Sequence, residues 1–299
     1  MRLLLLGKNG QVGWELQRAL APLGEVYAPG RDEGGDLAQL DVLADTLRVL
    51  KPDVIVNAAA YTAVDRAETE ADLAFCVNAE APAVLAKGAA ALGAVLIHYS
   101  TDYVFDGSGS APRTETDATA PLNVYGRSKL AGEQQIQASG CRHLILRTSW
   151  VYGARGQNFA RTILRLAAQR DELRVIDDQV GAPTGAALIA DVTALALHAL
   201  STRPDLGGVY HLAAAGEISW FGYARFLVEQ AARGGAKLKT GPDAVVPIPS
   251  SAYPVPARRP ANSRLDASRL ERALGLRMPA WQQGVQRFLD EAKGLWEEQ

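Results

Sequence analysis

A glycine-spaced turn, Gly7-Lys8-Asn9-Gly10-Gln11-Val12-Gly13, limits the fold of this chain more than any other feature. It follows the apolar run Leu3–Leu6 and leads into Val12, Leu16, Ala19, Leu20 and Leu23, which recur at helical spacing. A strand, a glycine turn and an amphipathic helix in that order make a β–α unit. Glycine allows a tight turn, lets backbone approach a ligand, and lets the helix pack close to the strand. The helix start then offers free N–H groups to an anion such as a pyrophosphate. The spacing is GxxGxxG, one residue wider than the common GxGxxG, and a plain β–α turn is the competing reading.

The first half of the chain repeats this alternation. Glu25–Ala28, Asp53–Asn57, Val95–Ser100 and Leu144–Arg147 read as further strands. An Ala-rich helical stretch covers about Ala71 to Leu92, and another helix about Tyr125 to Ala138. Such a pattern predicts an α/β fold, a doubly wound parallel sheet with right-handed crossovers. The second half is less regular. Phe159–Arg170, Gly185–Leu200 and Trp220–Ala232 read as helices, and Arg174–Ile176 and Val209–Leu212 as short strands. Pro247, Pro249, Pro254, Pro256 and Pro260 make 247–260 too rich in proline for a regular element. Helices at about Asp266–Leu274 and Trp281–Leu295 close the chain. The expected division is a first domain over 1–150, to which about 185–215 returns, and a smaller α/β lobe mainly over 151–299.

Composition narrows the function. With 31 Lys and Arg against 33 Asp and Glu, the 299-residue chain carries a net charge of −2, which disfavours a nucleic-acid partner. Cys76 and Cys141 are too few for a disulfide scaffold. The apolar start stops at Gly7-Lys8, too short for a signal core, and no run approaches the roughly 18 apolar residues of a membrane span. A cytoplasmic location without membrane partners is expected. His98, His143, His198 and His211 show no metal-ligand spacing, and Ser128 and Ser149 lack a nucleophile elbow. Trp14, Trp220, Trp281 and Trp296 read as packing residues; Trp150 follows a strand end near the expected site.

Tyr125 and Lys129 form a YxxxK pair, one face of a helix, where a phenol can give its proton to a developing alkoxide. The ammonium is expected to lower the tyrosine pKa and to hold ribose hydroxyls. Ser100-Thr101-Asp102 ends a strand, the edge where open α/β sheets bind ligands. After the second strand comes Gly30-Arg31-Asp32. Arg31 suits a 2′-phosphate or is a solvated surface arginine, and NADPH preference with NADH possible is the expectation. Asp36-Leu37 fits an adenine edge, and the small residues of Asn57-Ala58-Ala59-Ala60-Tyr61-Thr62 leave room for a cofactor.

The glycine turn, the Ser/Thr strand end and YxxxK together resemble the extended short-chain dehydrogenase/reductase family, with its Rossmann-like sheet. Asn57 to Asp65, Ser100-Thr101-Asp102-Tyr103-Val104-Phe105, Tyr125 to Glu133, Arg147-Thr148-Ser149-Trp150-Val151-Tyr152, Gly181-Ala182-Pro183-Thr184 and Pro256 to Ser263 resemble its dTDP-4-dehydrorhamnose reductase branch. The resemblance runs nearly end to end. It implies NAD(P)H-dependent reduction of the 4-keto group of dTDP-4-dehydro-L-rhamnose, the last step toward dTDP-L-rhamnose for cell-surface polysaccharide. Tyr125 would be the proton donor, Lys129 its partner and ribose ligand, and Thr101 would tune Tyr125. Thr101, Asp102, Tyr125, Trp150, Arg258 and Arg259 would meet the sugar nucleotide. Gly7, Gly10, Gln11, Val12, Gly13, Arg31, Asp36, Leu37, Ala60, Tyr61, Thr62, Tyr99, Tyr125 and Lys129 would meet the cofactor.

Departures from the pattern leave other readings open. Gly30 stands where some relatives carry an acid. Relatives can hold Mg²⁺ through glutamates at a dimer contact; Glu15 and Glu291 are the candidates here, but Ala187 replaces the third, so a metal bridge is not expected and the chain can be a monomer or homodimer. A sugar-nucleotide epimerase or dehydratase is the nearest enzymatic alternative, although Thr101-Asp102 lacks the second acid of a dehydratase. A regulatory subunit of the methionine adenosyltransferase type is the non-catalytic one.

Overall fold

The computed structural model describes residues 1–292. Its centre is a six-stranded, all-parallel sheet made of β1 (Arg2–Leu6), β2 (Glu25–Tyr27), β3 (Val54–Asn57), β4 (Val95–Thr101), β5 (Arg142–Thr148) and, late in the chain, β7 (Gly208–His211), in the order β2-β1-β3-β4-β5-β7. Helices α1 (Gln11–Leu20), α2 (Leu40–Leu50), α3 (Ala71–Phe75), α4 (Ala81–Leu92) and α5 (Val124–Ala138) connect the first strands. The strands read as unbroken apolar runs because both faces are covered. Leu3, Leu5, Val54, Val56 and Ile97 pack on one face with Leu16 and Leu20 of α1. Leu4, Leu6, Ile55, Leu96 and Ile145 pack on the other with Leu43 and Leu47 of α2 and Leu85 and Ala89 of α4. Alternate side chains of a strand point to opposite faces, so each run divides between two cores.

The order reverses between β1 and β3, since the chain leaves β1 for β2 on one side and returns as β3 on the other. In open α/β sheets, that reversal opens a crevice beyond the carboxyl ends of the strands. The chain therefore has a doubly wound parallel sheet, with the glycine turn beside its switch point.

A second core lies outside the sheet. It is built from α6 (Phe159–Gln169), β6 (Leu173–Ile176), α8 (Trp220–Arg233), β8 (Val245–Ile248) and α10 (Trp281–Glu291) around Ile163, Leu164, Tyr223, Leu227, Trp281, Val285 and Phe288. Between these elements, α7 (Ala186–Thr202) packs on α1, and β7 pairs with β5. A short helix, α9 (Ser268–Leu274), lies against β7. The part of the last predicted helix beyond residue 292, and Trp296, lie outside the described residues.

Three local features differ from the sequence expectation. Helix α2 is not evident in the sequence because its buried stripe consists only of Leu43 and Leu47. The single helix expected over 71–92 is split by a π turn, Cys76–Glu80. Pro247 lies in β8, not in irregular chain; among the described residues β8 pairs only with β6, and Pro247 is exposed, which is where a strand tolerates the missing N–H.

One charged pair is buried beneath the carboxyl edge. Arg147 of β5 donates from Nε and Nη2 to the two carboxylate oxygens of Glu133 on α5, at 2.9 and 2.6 Å, with the side chains 5% and 0% exposed. Arg147 also lies 5.2 Å over the Phe105 ring. Glu133→Gln leaves that guanidinium uncompensated and is expected to lower the unfolding free energy by about 3–5 kcal/mol, seen as a lower urea midpoint.

Candidate active site

The glycine turn brings a helix start to the switch point. Gly10 caps α1 without a side-chain bond, and the first turn carries no acid. Such a start presents unpaired N–H groups and the positive end of the helix dipole. Gly7, at φ +89°, leaves no room for a side chain: a Cβ there would stand 2.7 Å from the Ala59 nitrogen. A Cβ on Gly13 would stand 2.0 Å from the Gly7 oxygen. These two glycines let turn, helix and β3 touch, and the Gly10 N–H closes the turn on Gly7 O at 2.9 Å. Gln11 Oε1 accepts from Asn158 Nδ2 at 2.8 Å, which ties the start of α6 to the same point.

The neighbouring residues divide into facing and supporting ones. Arg31 is exposed after β2 and has no ion pair among the described residues. Lys8, which the sequence reading did not single out, reaches the same spot and pairs with Glu33 at 3.0 Å. Glu33 also accepts the Gly30 N–H at 2.6 Å, and this bond together with Lys8 holds its carboxyl below the usual range. Asp36 Oδ1 accepts the Ala38 N–H at 3.0 Å, and the Leu37 side chain is buried in the sheet core. Tyr61 is turned away: its hydroxyl donates to Glu70 at 2.6 Å. Its backbone is clamped by Asn78 of the π turn, which accepts from Tyr61 N and donates to Tyr61 O and Ser128 Oγ. Ala60 and Thr62 flank that clamp. The Tyr99 hydroxyl bonds Thr193 on α7 at 2.8 Å, so its ring supports the sheet and only its carbonyl serves the site.

The chemical groups converge at the end of β4. Asn123 caps α5 by accepting from Gly126 N at 2.8 Å, which sets Tyr125 and Lys129 one turn apart. Next to Tyr125, Thr101 Oγ1 donates to Asp102 Oδ1 at 3.2 Å and accepts from Tyr103 N at 3.2 Å. Lys129 Nζ donates to Tyr99 O at 2.7 Å and contacts His98 Nε2 at 3.1 Å. Burial pushes Tyr125 up to about 12, with Thr101 opposing, and pushes Lys129 down to about 8, with Glu133 opposing. Burial and Asp102 together outweigh Thr101 at Tyr125, and Lys129 is not among the influences that lower it. The phenol keeps its proton at neutral pH, the state a proton donor needs.

A cleft of about 1070 Å³ opens next to this cluster, between the sheet edge and the second core. Tyr103 lines it and meets Tyr125 edge-on, with ring centroids 5.5 Å apart. Trp220 and Phe159 line it too, and Trp220 stacks on Trp150 at 3.5 Å and 11°. Trp150 holds φ +49°, a left-handed conformation that is rare outside glycine and frequent at functional turns. Arg258 lines the cleft with Arg170 and Arg174, and none of the three has an ion pair among the described residues. Arg259 is engaged, its two terminal nitrogens donating to Asp65 at 3.2 and 2.8 Å. Arg170, Arg174 and Trp220 escape a sequence reading because only the fold aligns them. Glu15 and Glu291 each face a guanidinium, Arg18 at 3.6 Å and Arg287 at 2.8 Å. Among the described residues no group of three His, Cys, Asp or Glu could hold a metal.

The fold and this cluster define a nicotinamide-dependent oxidoreductase of the extended short-chain dehydrogenase/reductase type. A family described as "RmlD substrate binding domain" matches residues 1–293. The chain is 52% identical to the dTDP-4-dehydrorhamnose reductase of Escherichia coli K12, over 97% of this chain and 98% of the relative. It resembles the crystal structure of a dTDP-4-dehydrorhamnose reductase from Clostridium acetobutylicum, with 33% identity and a TM-score of 0.88 over 98% of this chain and 100% of that one. It also resembles the Bacillus anthracis dTDP-4-dehydrorhamnose reductase in complex with NADP, with 34% identity and a TM-score of 0.86 over 97% and 99%. The chain belongs to the RmlD family of dTDP-4-dehydrorhamnose reductases.

Burial pushes the Asp102 carboxyl up to about 7, with Ser263 and then Thr101 opposing in part, and its Oδ2 is buried without a hydrogen-bond partner among the described residues. A carboxyl raised on folding binds a proton that the unfolded chain has already lost, so stability falls as pH rises through this range. Asp102→Asn is expected to raise the unfolding free energy at pH 8 by on the order of a few kcal/mol, seen as a higher melting temperature, and to have little effect at pH 4.

Proposed function

We propose that this chain reduces the 4-keto group of dTDP-4-dehydro-L-rhamnose to give dTDP-L-rhamnose, with NADPH as the preferred hydride source and NADH usable. The observation that carries this reading is the half-buried Tyr125, next to Thr101 and one helical turn before Lys129, in edge contact with Tyr103 of a cleft that has aromatic walls and an arginine rim. The nicotinamide cofactor, when bound, supplies the hydride.

This chain's residues do the rest. The uncapped start of α1 receives the pyrophosphate through Gln11 and Val12 N–H groups. Arg31 and Lys8 receive the 2′-phosphate. Asp36 and the backbone of Leu37 meet the adenine, and Ala60 and Thr62 line the cofactor's path. Lys129 holds the ribose hydroxyls. Tyr125 protonates the O4 of the sugar as its carbonyl is reduced, and Thr101 and Lys129 stabilise the charge left on the phenol oxygen. Asp102 and Trp150 position the sugar, with Trp220 fixing the indole of Trp150 by stacking. Arg258, Arg170 and Arg174 supply local positive charge for the diphosphate, although the whole chain is slightly acidic.

No helix among the described residues is long and apolar enough to cross a membrane, which agrees with cytoplasmic synthesis of an activated sugar for surface polysaccharide. Glu15 and Glu291 are already neutralised by arginines, which argues against a Mg²⁺ bridge between subunits.

The test is oxidation of NADPH on addition of the dTDP-4-keto-6-deoxy sugar, one equivalent per sugar reduced. Binding of NADPH with no turnover would favour the regulatory reading. Tyr125→Phe is expected to lower kcat by about 10²–10⁴-fold while NADPH binding, followed by fluorescence, is nearly unchanged. Arg31→Ala is expected to lower kcat/KM with NADPH by about 10–100-fold and to leave that with NADH unaltered. A wild-type preference for NADH would remove Arg31 from the site.

A further inference from the structure

The hydrogen bonds behind Lys129 fix where protons can sit. Asn57, at the end of β3, accepts the Ala59 N–H at Oδ1, 3.2 Å away. That sets the orientation of its amide, so Nδ2 faces Nδ1 of His98 at 3.1 Å. An amide nitrogen donates and cannot accept, so His98 Nδ1 must be the acceptor. A neutral imidazole that accepts at Nδ1 carries its proton on Nε2. Nε2 stands 3.1 Å from Lys129 Nζ. An ammonium has three donors and no lone pair, so it cannot receive that N–H. An amine can, while still donating to Tyr99 O. His98 does not escape by ionising, because it is 1% exposed and both burial and the adjacent lysine hold it well below its usual range.

We propose that His98, held as the Nε2–H tautomer by Asn57, is a positioning residue that opposes the ammonium form of Lys129 and so sets the pH range in which the reductase site is charged. The opposite state exists and excludes the first. In it, the Asn57 amide is reversed, His98 Nδ1–H donates to Oδ1, and Nε2 accepts from the ammonium. Reaching it gives up the Ala59 N–H bond, which adjoins Ala60 at the cofactor cleft. Proton uptake by Lys129 is therefore coupled to the backbone that the cofactor meets.

The groups around Lys129 leave burial and His98 as the two influences set against its ammonium form. On its own helix Glu133 favours the ammonium, but it is already engaged twice by Arg147 of β5. Tyr125, one turn earlier, is neutral, and Asp102 beyond β4 is raised by burial. β4 adds Tyr99, through its carbonyl, and the π turn packed on α5 presents uncharged Asn78.

The consequence for catalysis rests on the reductase reading above; the tautomer itself does not. Two near-isosteric variants reverse the arrangement. Asn57→Asp accepts from both Ala59 N–H and His98 Nδ1–H, which frees Nε2 to accept. His98→Gln places a carbonyl oxygen near the position of Nε2. Above the pH at which Lys129 titrates, ¹⁵N NMR of the protein is expected to show His98 as Nε2–H in the wild type and as Nδ1–H in Asn57→Asp. The alkaline limb of kcat/KM against pH is expected to move up by about one pH unit or more in both variants. An Nδ1–H tautomer in the wild type above that pH, or an alkaline limb unmoved in both variants, would overturn the proposal. Because the wild-type NMR arm needs no variant and no substrate, it still decides if turnover fails.

Discussion

A lysine amine sunk beneath the edge of a parallel sheet is the constraint on which this architecture depends. Lys129 is 2% exposed, so it must be supplied with polar partners from inside. β4 gives it the Tyr99 carbonyl and the His98 ring. One turn along α5, Glu133 adds a negative charge, which needs Arg147 from β5, and Arg147 in turn lies against Phe105. The charge introduced at the site is thus balanced stepwise into the body of the protein. The same burial keeps Tyr125 protonated and places Lys129 near the pH at which it titrates.

Much of this was legible in the sequence, for identifiable reasons. The sheet strands are buried on both faces, so Leu3–Leu6 and Val54–Asn57 read as unbroken apolar runs. The turn needs Gly7 and Gly13 because a Cβ at either would meet backbone at 2.7 and 2.0 Å. Tyr125 and Lys129 are close in the chain, so spacing alone joins them. What stayed hidden depends on distance along the chain or on compensation. Arg170 and Arg174 meet Arg258 only through the fold. His98 looks like one more core residue until Asn57 and Lys129 are seen on either side of it. The lowering of the tyrosine pKa failed because a spacing argument shows a charge but not the desolvation around it.

The aromatic wall shows how packing and recognition share residues. Trp220 belongs to the second core through Phe159 and Tyr223, yet its outer face lines the cleft and its stack fixes Trp150. The left-handed backbone at Trp150 is held by this stack on one side and by Gly181 on the other, where a Cβ would come within 2.8 Å of the indole. Strain at the site is therefore offset by apolar contact, together with the Thr184 N–H given to Trp150 O at 3.2 Å.

The two cores are interleaved along the chain. Between lobe elements α6 and α8 the chain returns to lay α7 on α1 and β7 beside β5, and after β8 it runs back to Asn262, which is bonded to the loop at 107–111. Neither core corresponds to one continuous stretch of gene. A lineage could not acquire a new sugar preference by recombining the lobe as a cassette, because any single crossover would strand α7 and β7 without their partners. Change must instead accumulate residue by residue along the cleft, at positions such as Arg170, Arg174 and Trp220, while the nucleotide side stays as it is.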